Sequence, residues 1–168
     1  SGRDVPIAEL SEVALELGAD VPMCLFSRTC TISGVGEKIQ NIDPFPKLQL
    51  VLANPGIAVP TAPIFRQLKS KNNPPMPALP IQIEHGAALA LWLQDTRNDL
   101  EQPAIEIVPQ VAELMREMDQ LPGCILSRMS GSGGTVFGVF GAEKQAMDAA
   151  QQMRQLFPNY WVSQSPII

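Results

Sequence analysis

Nine of the sixteen prolines in this chain lie between Pro44 and Pro80. Proline lacks a backbone N–H and holds φ near one value, so these positions are poor interiors for a helix or a strand. The band reads as a connector with room only for short elements. The core has to come mainly from the sequence on either side. At 168 residues the chain has length for one domain, or for one plus a remnant of another. A composition of 45% hydrophobic and 17% charged residues excludes disorder throughout.

Several function classes fall away at once. The formal charge is −5, from 12 basic against 17 acidic residues, with a pI near 4.8. With no run of Lys and Arg there is little to grip a phosphate backbone, so no nucleic-acid partner is expected. The longest apolar run, Ala87 to Leu93, is far short of the ~18 residues of a membrane span. No basic segment precedes an apolar stretch at the start, so no secretory signal is read. Cys24, Cys30 and Cys124 lack metal-ligand spacing and read as free thiols of a reducing cytoplasm. A first residue of Ser1 rather than methionine hints at truncation or processing.

Before the proline band, Ile7, Leu10, Val13, Ala14 and Leu17 recur at helical spacing and Gly18 supplies a stop. A turn at Ala19-Asp20-Val21-Pro22 precedes a strand-like stretch from about Met23 to Ile32, which ends in Ser33-Gly34-Val35-Gly36. One helix and one or two strands cannot close a core, so residues 1–46 read as the tail of a domain. Residues 47–168 read as a more complete unit. Leu48–Ala53 has strand character and stops at Asn54-Pro55-Gly56. Helices are expected after Pro60, over about Ile81–Gln94 and over about Arg97–Met118, the last divided at Pro109. Strands follow at Gly123–Arg128 and Thr135–Phe140, then a helix through Ala142–Phe157, then a strand at Tyr160–Gln164. Strand, helices, strand, strand, helix, strand is the split βαβ order of a ferredoxin-like α+β sandwich, with helices over one face of the sheet.

Three places could carry chemistry. Ser130-Gly131-Ser132-Gly133-Gly134-Thr135 packs three glycines and three hydroxyls into six residues, which bares backbone N–H groups to an anion. It joins two strands and has no Gly-Lys-Ser/Thr ending, so it is neither a dinucleotide fingerprint nor a Walker loop. A plain hairpin turn is the alternative. Asp20 could take a proton from a substrate hydroxyl, or simply bond its own turn. Thr61 and Phe65, four apart, could share a helical face, the ring serving either as a lid on a flat ligand or as core. His85 has no partner for a metal site, and the methionines read as core filler.

The motifs also occur in a fixed order. Leu17-Gly18-Ala19-Asp20-Val21-Pro22, Gly34-Val35-Gly36-Glu37-Lys38, Asn98-Asp99-Leu100-Glu101 and Arg128-Met129-Ser130-Gly131-Ser132-Gly133-Gly134-Thr135-Val136-Phe137 together resemble the GHMP kinase superfamily. Within it they are most similar to the branch acting on a cytidine-diphosphate-linked methylerythritol. The resemblance covers nearly the whole chain apart from Asn72 to Pro80.

That resemblance implies a GHMP-kinase C-terminal ferredoxin-like sandwich over 47–168, preceded over 1–46 by a remnant of the N-terminal kinase domain. It implies transfer of the ATP γ-phosphoryl group to the substrate's 2-hydroxyl, with Mg²⁺, in the non-mevalonate route to isoprenoid precursors in the bacterial cytoplasm. Asp20 matches the family's catalytic aspartate, and Thr61 and Phe65 match the substrate segment whose ring stacks on cytosine. Ser130, Gly131, Ser132, Gly133, Gly134 and Thr135 match the phosphate-proximal loop. Asn98 and Asp99 match a signature without an assigned role, and no metal ligand is implied. The family's main ATP motif, its early lysine and the second aromatic of the cytosine clamp have no counterpart here. The expected partner is therefore the N-terminal part of the same kinase, and the chain alone is expected to be inactive. Another GHMP kinase, or a non-catalytic ligand-binding module, are the alternatives.

Overall fold

A computed structural model describes residues 7–80 and 86–166. His85 and the start of the helix expected from Ile81 lie outside the described residues. The chain divides into two compact units, Ser1–Phe45 and Pro46–Ile168.

In the first unit α1 spans Ile7–Leu17, as its apolar spacing predicts. The Gly18 N–H closes its last turn on the Ala14 carbonyl at 3.2 Å. The stretch expected as a strand from Met23 is instead a short helix, α2, Val21–Phe26, with Pro22 in its first turn. Proline suits that position, because its missing N–H would have no partner there in any helix. Helix α2 ends at Ser27, whose φ of 49° is left-handed and whose N–H returns to the Met23 carbonyl. Only Cys30–Ser33 of the expected strand is β1, and it pairs antiparallel with β2, Lys38–Asn41, a strand the hydrophobic pattern does not announce. In the turn between them the Glu37 carboxylate accepts the Val35 N–H at 2.6 Å. Backbone N–H bonds from Glu37 itself and from Val35 hold that carboxyl below its usual range.

The second unit opens with β3, Gln49–Asn54, followed by α3, Thr61–Arg66, and α4, Gly86–Gln94. Helices α5, Glu101–Ile107, and α6, Gln110–Asp119, are separated by Val108 and Pro109, and Pro109 caps α6. The break expected at Pro109 is therefore present. Strands β4, Cys124–Met129, and β5, Val136–Phe140, then helix α7, Glu143–Leu156, and strand β6, Trp161–Pro166, complete the unit. The sheet order is β4-β5-β3-β6, antiparallel throughout. Its first and last strands pair side by side, which is the ferredoxin-like arrangement expected.

Alternation along the strands builds the core. Val51 and Ala53 of β3, Met129 of β4, and Val136 and Phe140 of β5 are buried with Val111, Leu114 and Met118 of α6. Helix α7 adds Ala146, Ala149, Ala150 and Met153, three small residues that let it lie close to the sheet. The helices do not keep to one face, contrary to expectation. Arg128 alternates away from Met129, and its guanidinium donates to the Leu93 carbonyl at 3.1 Å and to the Thr96 hydroxyl. Helix α4 therefore lies over the opposite face beside β4, and its Leu89 is buried.

The methionines divide between roles: Met118, Met129 and Met153 are core, while Met23, Met76 and Met147 are exposed. The three cysteines are free thiols. Burial, with the Asp119 carboxylate adding to it, pushes the Cys124 thiol up to about 11.

Leu114 is fully buried, whereas Leu156 is 55% exposed. Leu114→Ala is expected to cost about 2–5 kcal/mol in urea unfolding, and Leu156→Ala to stay within about 0.5 kcal/mol of the parent. Equal midpoints for the two variants would contradict this core.

Candidate functional site

The loop between β4 and β5 is closed by two of its own bonds. The Ser130 N–H donates to the Thr135 carbonyl at 2.8 Å, and the Gly133 N–H donates to the Ser130 carbonyl at 3.1 Å. Gly133 has φ +123°, and a β-carbon there would lie 2.9 Å from Val59 Cγ1 and 3.3 Å from Met129 Sδ. Only glycine lets the loop rest on that apolar floor. At Gly131 the space a side chain would fill is open. No hydrogen bond from a described residue takes up the N–H groups of Gly131, Ser132 or Gly134. An anion approaching that side would meet unspent donors.

Side chains from distant segments hold this shape. Asn98 Nδ2 donates to the Met129 carbonyl at 3.0 Å and to the Gly131 carbonyl at 2.8 Å, while its Oδ1 accepts the Leu100 N–H at 3.1 Å. Glu101, first residue of α5, accepts the Met129 N–H at 3.2 Å. Asn54 Nδ2 donates to Thr135 Oγ1 at 3.0 Å, and its Oδ1 accepts the Gly56 N–H at 2.8 Å, which sets the turn after β3. Thr61 Oγ1 and Ser132 Oγ lie 3.1 Å apart in a hydrogen bond. The start of α3 is thereby brought to the loop.

Phe65, one turn along α3, is 48% exposed, so its ring is not core. It lines a cavity of about 630 Å³ with Arg66, Lys71, Arg97, Asp99 and Leu100 among others. One wall is fastened through Asp99. Arg97 Nε donates to Asp99 Oδ1 at 2.6 Å, and Asn73 Nδ2 donates to Asp99 Oδ2 at 2.8 Å. The Arg97 guanidinium also reaches the Pro74 carbonyl. The Arg97 hydrogen bond, with Asn73 behind it, holds the Asp99 carboxyl below its ordinary range.

Asp20, in the first unit, follows α1 and occupies the N-cap position of α2. Its side chain makes no cap bond, and it is exposed. The alternative of an aspartate bonding its own turn is not what the structure shows. Gly36, with φ +104°, explains why two sequence motifs travel together. A β-carbon there would lie 2.0 Å from the Ala19 carbonyl oxygen, so the β1–β2 turn packs against the residue before Asp20 only because Gly36 is bare.

Sequence reasoning missed Glu101, Arg97 and Asn73, and it had Asn54 only as the first residue of the candidate segment that runs to Phe65. Glu101 was within reach as the fourth residue of the Asn98-Asp99-Leu100-Glu101 motif. The others are single polar residues whose partners are remote or whose context is unremarkable.

Residues 83–159 match the family model described as GHMP kinases C terminal. Over those residues the chain is similar to the C-terminal domain of GHMP kinases. A curated relative from Cereibacter sphaeroides, named 4-diphosphocytidyl-2-C-methyl-D-erythritol kinase, is 47% identical over 94% of this chain and 56% of its own length. One of the same name from Parvibaculum lavamentivorans is 42% identical over 93% of this chain and 54% of its own. The chain thus spans a little over half the length of these curated relatives. A crystal structure of 4-(cytidine 5'-diphospho)-2C-methyl-D-erythritol kinase superposes with a TM-score of 0.72 at 28% identity, covering 96% of this chain and 57% of that one. A homoserine kinase from Cytophaga hutchinsonii shares the fold, with a TM-score of 0.65 at 17% identity over 99% of this chain and 59% of that one. Among the described residues no helix is long and apolar enough to cross a membrane.

Two outcomes follow for this site. Asn98→Asp removes both donors to the loop and sets a carboxylate against two carbonyls. Amide exchange at Ser130 and Gly133 is expected to quicken about tenfold or more, the loss of roughly one net hydrogen bond with a buried penalty. Unchanged exchange would show that Asn98 does not hold the loop. The second concerns Asp99, whose folded pKa lies below the ordinary 3.8. Its ties therefore contribute above 3.8 and are lost as pH falls through the lower folded value. Carboxyl-carbon NMR should give a midpoint under 3.8, moving up in Arg97→Gln.

Proposed function

We propose that this chain is the C-terminal part of an ATP-dependent kinase that phosphorylates the 2-hydroxyl of 4-diphosphocytidyl-2-C-methyl-D-erythritol. The observation that carries the reading is the 47% identity across 94% of the chain to a relative of that name. The geometry supports it. The bond between Thr61 and Ser132 links the segment read as substrate-binding to the loop read as phosphate-proximal.

On this reading the substrate's hydroxyl oxygen attacks the γ-phosphorus of ATP, the bond to the bridging oxygen breaks, and ADP leaves. Asp20 takes the hydroxyl proton, its carboxylate carrying no cap bond that would compete. Phe65 stacks on the cytosine, for which its half-exposed ring is free. Thr61 joins Ser132 in positioning the substrate beside the loop. Ser130 to Thr135 supply backbone donors toward the phosphates, with Gly131, Ser132 and Gly134 offering uncommitted N–H groups.

ATP fits this loop as an anion does, and bound ATP would supply the transferred group. Mg²⁺ would neutralise phosphate charge. Among the described residues no three His, Cys, Asp or Glu side chains gather into a cation site, so no step here runs through the metal. The relatives are longer than the span they share with this chain, and on this reading their remaining length holds the principal ATP motif. That N-terminal part is the partner this chain needs, and the small-molecule substrate binds with both in place. The site of action is the bacterial cytoplasm.

The test has two parts. The 168-residue chain given ATP and the cytidylyl substrate is expected to make no ADP above an Asp20→Asn control. With the remainder of the kinase joined to it, Asp20→Asn should lower kcat about 10²–10⁴-fold with the fold intact, as loss of a general base does. Full activity in that variant would remove Asp20 from the mechanism.

A further inference from the structure

Asn98 and Asp99 have no part in the proposed reaction, yet they stand between two pieces of the second unit. On one side is the glycine-rich loop, to which the Asn98 amide donates twice. On the other is the segment after α3, residues 67–80, which carries Pro74, Pro75, Pro77 and Pro80. This segment has little of its own to hold it. Every position from 69 to 76 is exposed, and among the described residues none of 69–80 makes a main-chain to main-chain hydrogen bond. Three side chains reach it, all from α4 and the connection that follows. Asp99 accepts the Asn73 amide at 2.8 Å, Arg97 donates to the Pro74 carbonyl, and Trp92 Nε1 donates to the Ala78 carbonyl at 3.0 Å.

The same connection is fastened to the sheet. Arg128 of β4 donates to the Leu93 carbonyl and to the Thr96 hydroxyl, and Thr96 Oγ1 itself donates to the Leu93 carbonyl at 2.6 Å. Further on, the Asn98 carbonyl accepts the Glu101 N–H at 3.0 Å while its side chain accepts the Leu100 N–H. Residues 96–101 therefore form a tied turn. Consecutive Cα atoms stay about 3.8 Å apart, so Asp99 cannot shift far without carrying Asn98, and with it the Met129 and Gly131 carbonyls.

We propose that Asn73 and Asp99 are positioning residues for the glycine-rich loop, acting through Asn98. Neither bonds to the loop itself. With the segment tied, Arg97 and Asn73 fix Asp99, and Asn98 presents both of its donors to the loop. With the segment released, the turn loses that anchor and the loop opens more often. The value of this to a phosphate site rests on the kinase reading of the loop, whereas the mechanical link does not. A different route is also built into the fold, because α3, from which the segment issues, meets the loop through Thr61 and Ser132.

The experiment is amide hydrogen exchange of the 168-residue chain, read at Ser130 and Gly133, the donors that close the loop. Asn73→Ala is expected to quicken both about threefold or more, the scale of one net hydrogen bond, with the amides of α7 unchanged. Asn73→Asp sets two carboxylates together and should quicken them as well. Adding Asp99→Asn to it reverses the pair, amide for carboxylate, and should return both rates to within about twofold of the parent. On an Asn98→Ala background, Asn73→Ala is expected to add nothing, because the link is already cut. Parent rates at Ser130 and Gly133 in Asn73→Ala overturn the proposal. So does a fully additive effect on the Asn98→Ala background, which would assign the link to α3 through Thr61. With the remainder of the kinase joined, Asn73→Ala should raise the KM for ATP about threefold and leave kcat near the parent value. Quickened exchange with that KM unchanged leaves the link standing and removes the loop from ATP binding.

Discussion

The side-chain amide of Asn98 gives both of its protons to main-chain carbonyls on either side of Ser130 and takes the Leu100 N–H on its oxygen. A loop with three glycines at positive φ would otherwise sample many conformations, and ordering it costs about 1–2 kcal/mol per residue in backbone entropy. The amide offsets part of that cost through two bonds that flank Ser130. Glu101, one helical position into α5, secures the Met129 N–H, and Asn54 at the end of β3 secures Thr135. The loop is thus suspended between a helix start and a strand end, both anchored in the core, instead of standing as an ordinary hairpin tip.

The next residue does a parallel task on the other side. Asp99 collects Arg97 and Asn73, so two successive side chains of one short connection fasten the glycine-rich loop and the cavity wall. The Arg97–Asp99 pair is only half-sheltered, with side-chain exposures of 43% and 36%, and adds little to global stability. Its value is local, in fixing where the segment after α3 runs. A signature whose chemistry could not be named from its letters holds the backbone on both sides.

What was legible in the sequence followed local rules. Apolar spacing gave α1 and α7, Pro109 gave the break before α6, and the order of strands and helices gave the sandwich. Two errors had local causes as well. Met23-Cys24-Leu25-Phe26 is an apolar run too short to show a period, and after a turn at Val21-Pro22 it suggests a strand, where Pro22 in fact opens a helix. Helix α4, apolar over nearly its whole length, gave no face to orient, so its place on the far side of the sheet was invisible. The candidate loop was legible from its glycines, but its supports were not. Asn54 and Thr135 stand 81 residues apart and Asn98 and Gly131 stand 33 apart, and no local pattern announces such pairs. Gly36 and Ala19 belong to the same class: their motifs could be seen to co-occur, but the missing β-carbon that joins them could be seen only in three dimensions.

Strand β3 lies inside the sheet, yet both of its neighbours, β5 and β6, come from much later in the chain. Asn54 faces Trp161 and Ala53 faces Val136 across these ladders. During synthesis the central strand therefore leaves the ribosome long before either edge has something to pair with. Val51 and Ala53, wholly buried in the finished protein, must wait exposed through the proline-rich band and four helices. A long loop has to close before those contacts form, which slows folding. The prolines that follow β3, beginning at Pro55, are poor β-formers, which keeps the waiting strand from being extended into a longer sticky segment. Nascent-chain vulnerability is thus concentrated at the strand that ends in Asn54, the residue that later steadies the glycine-rich loop.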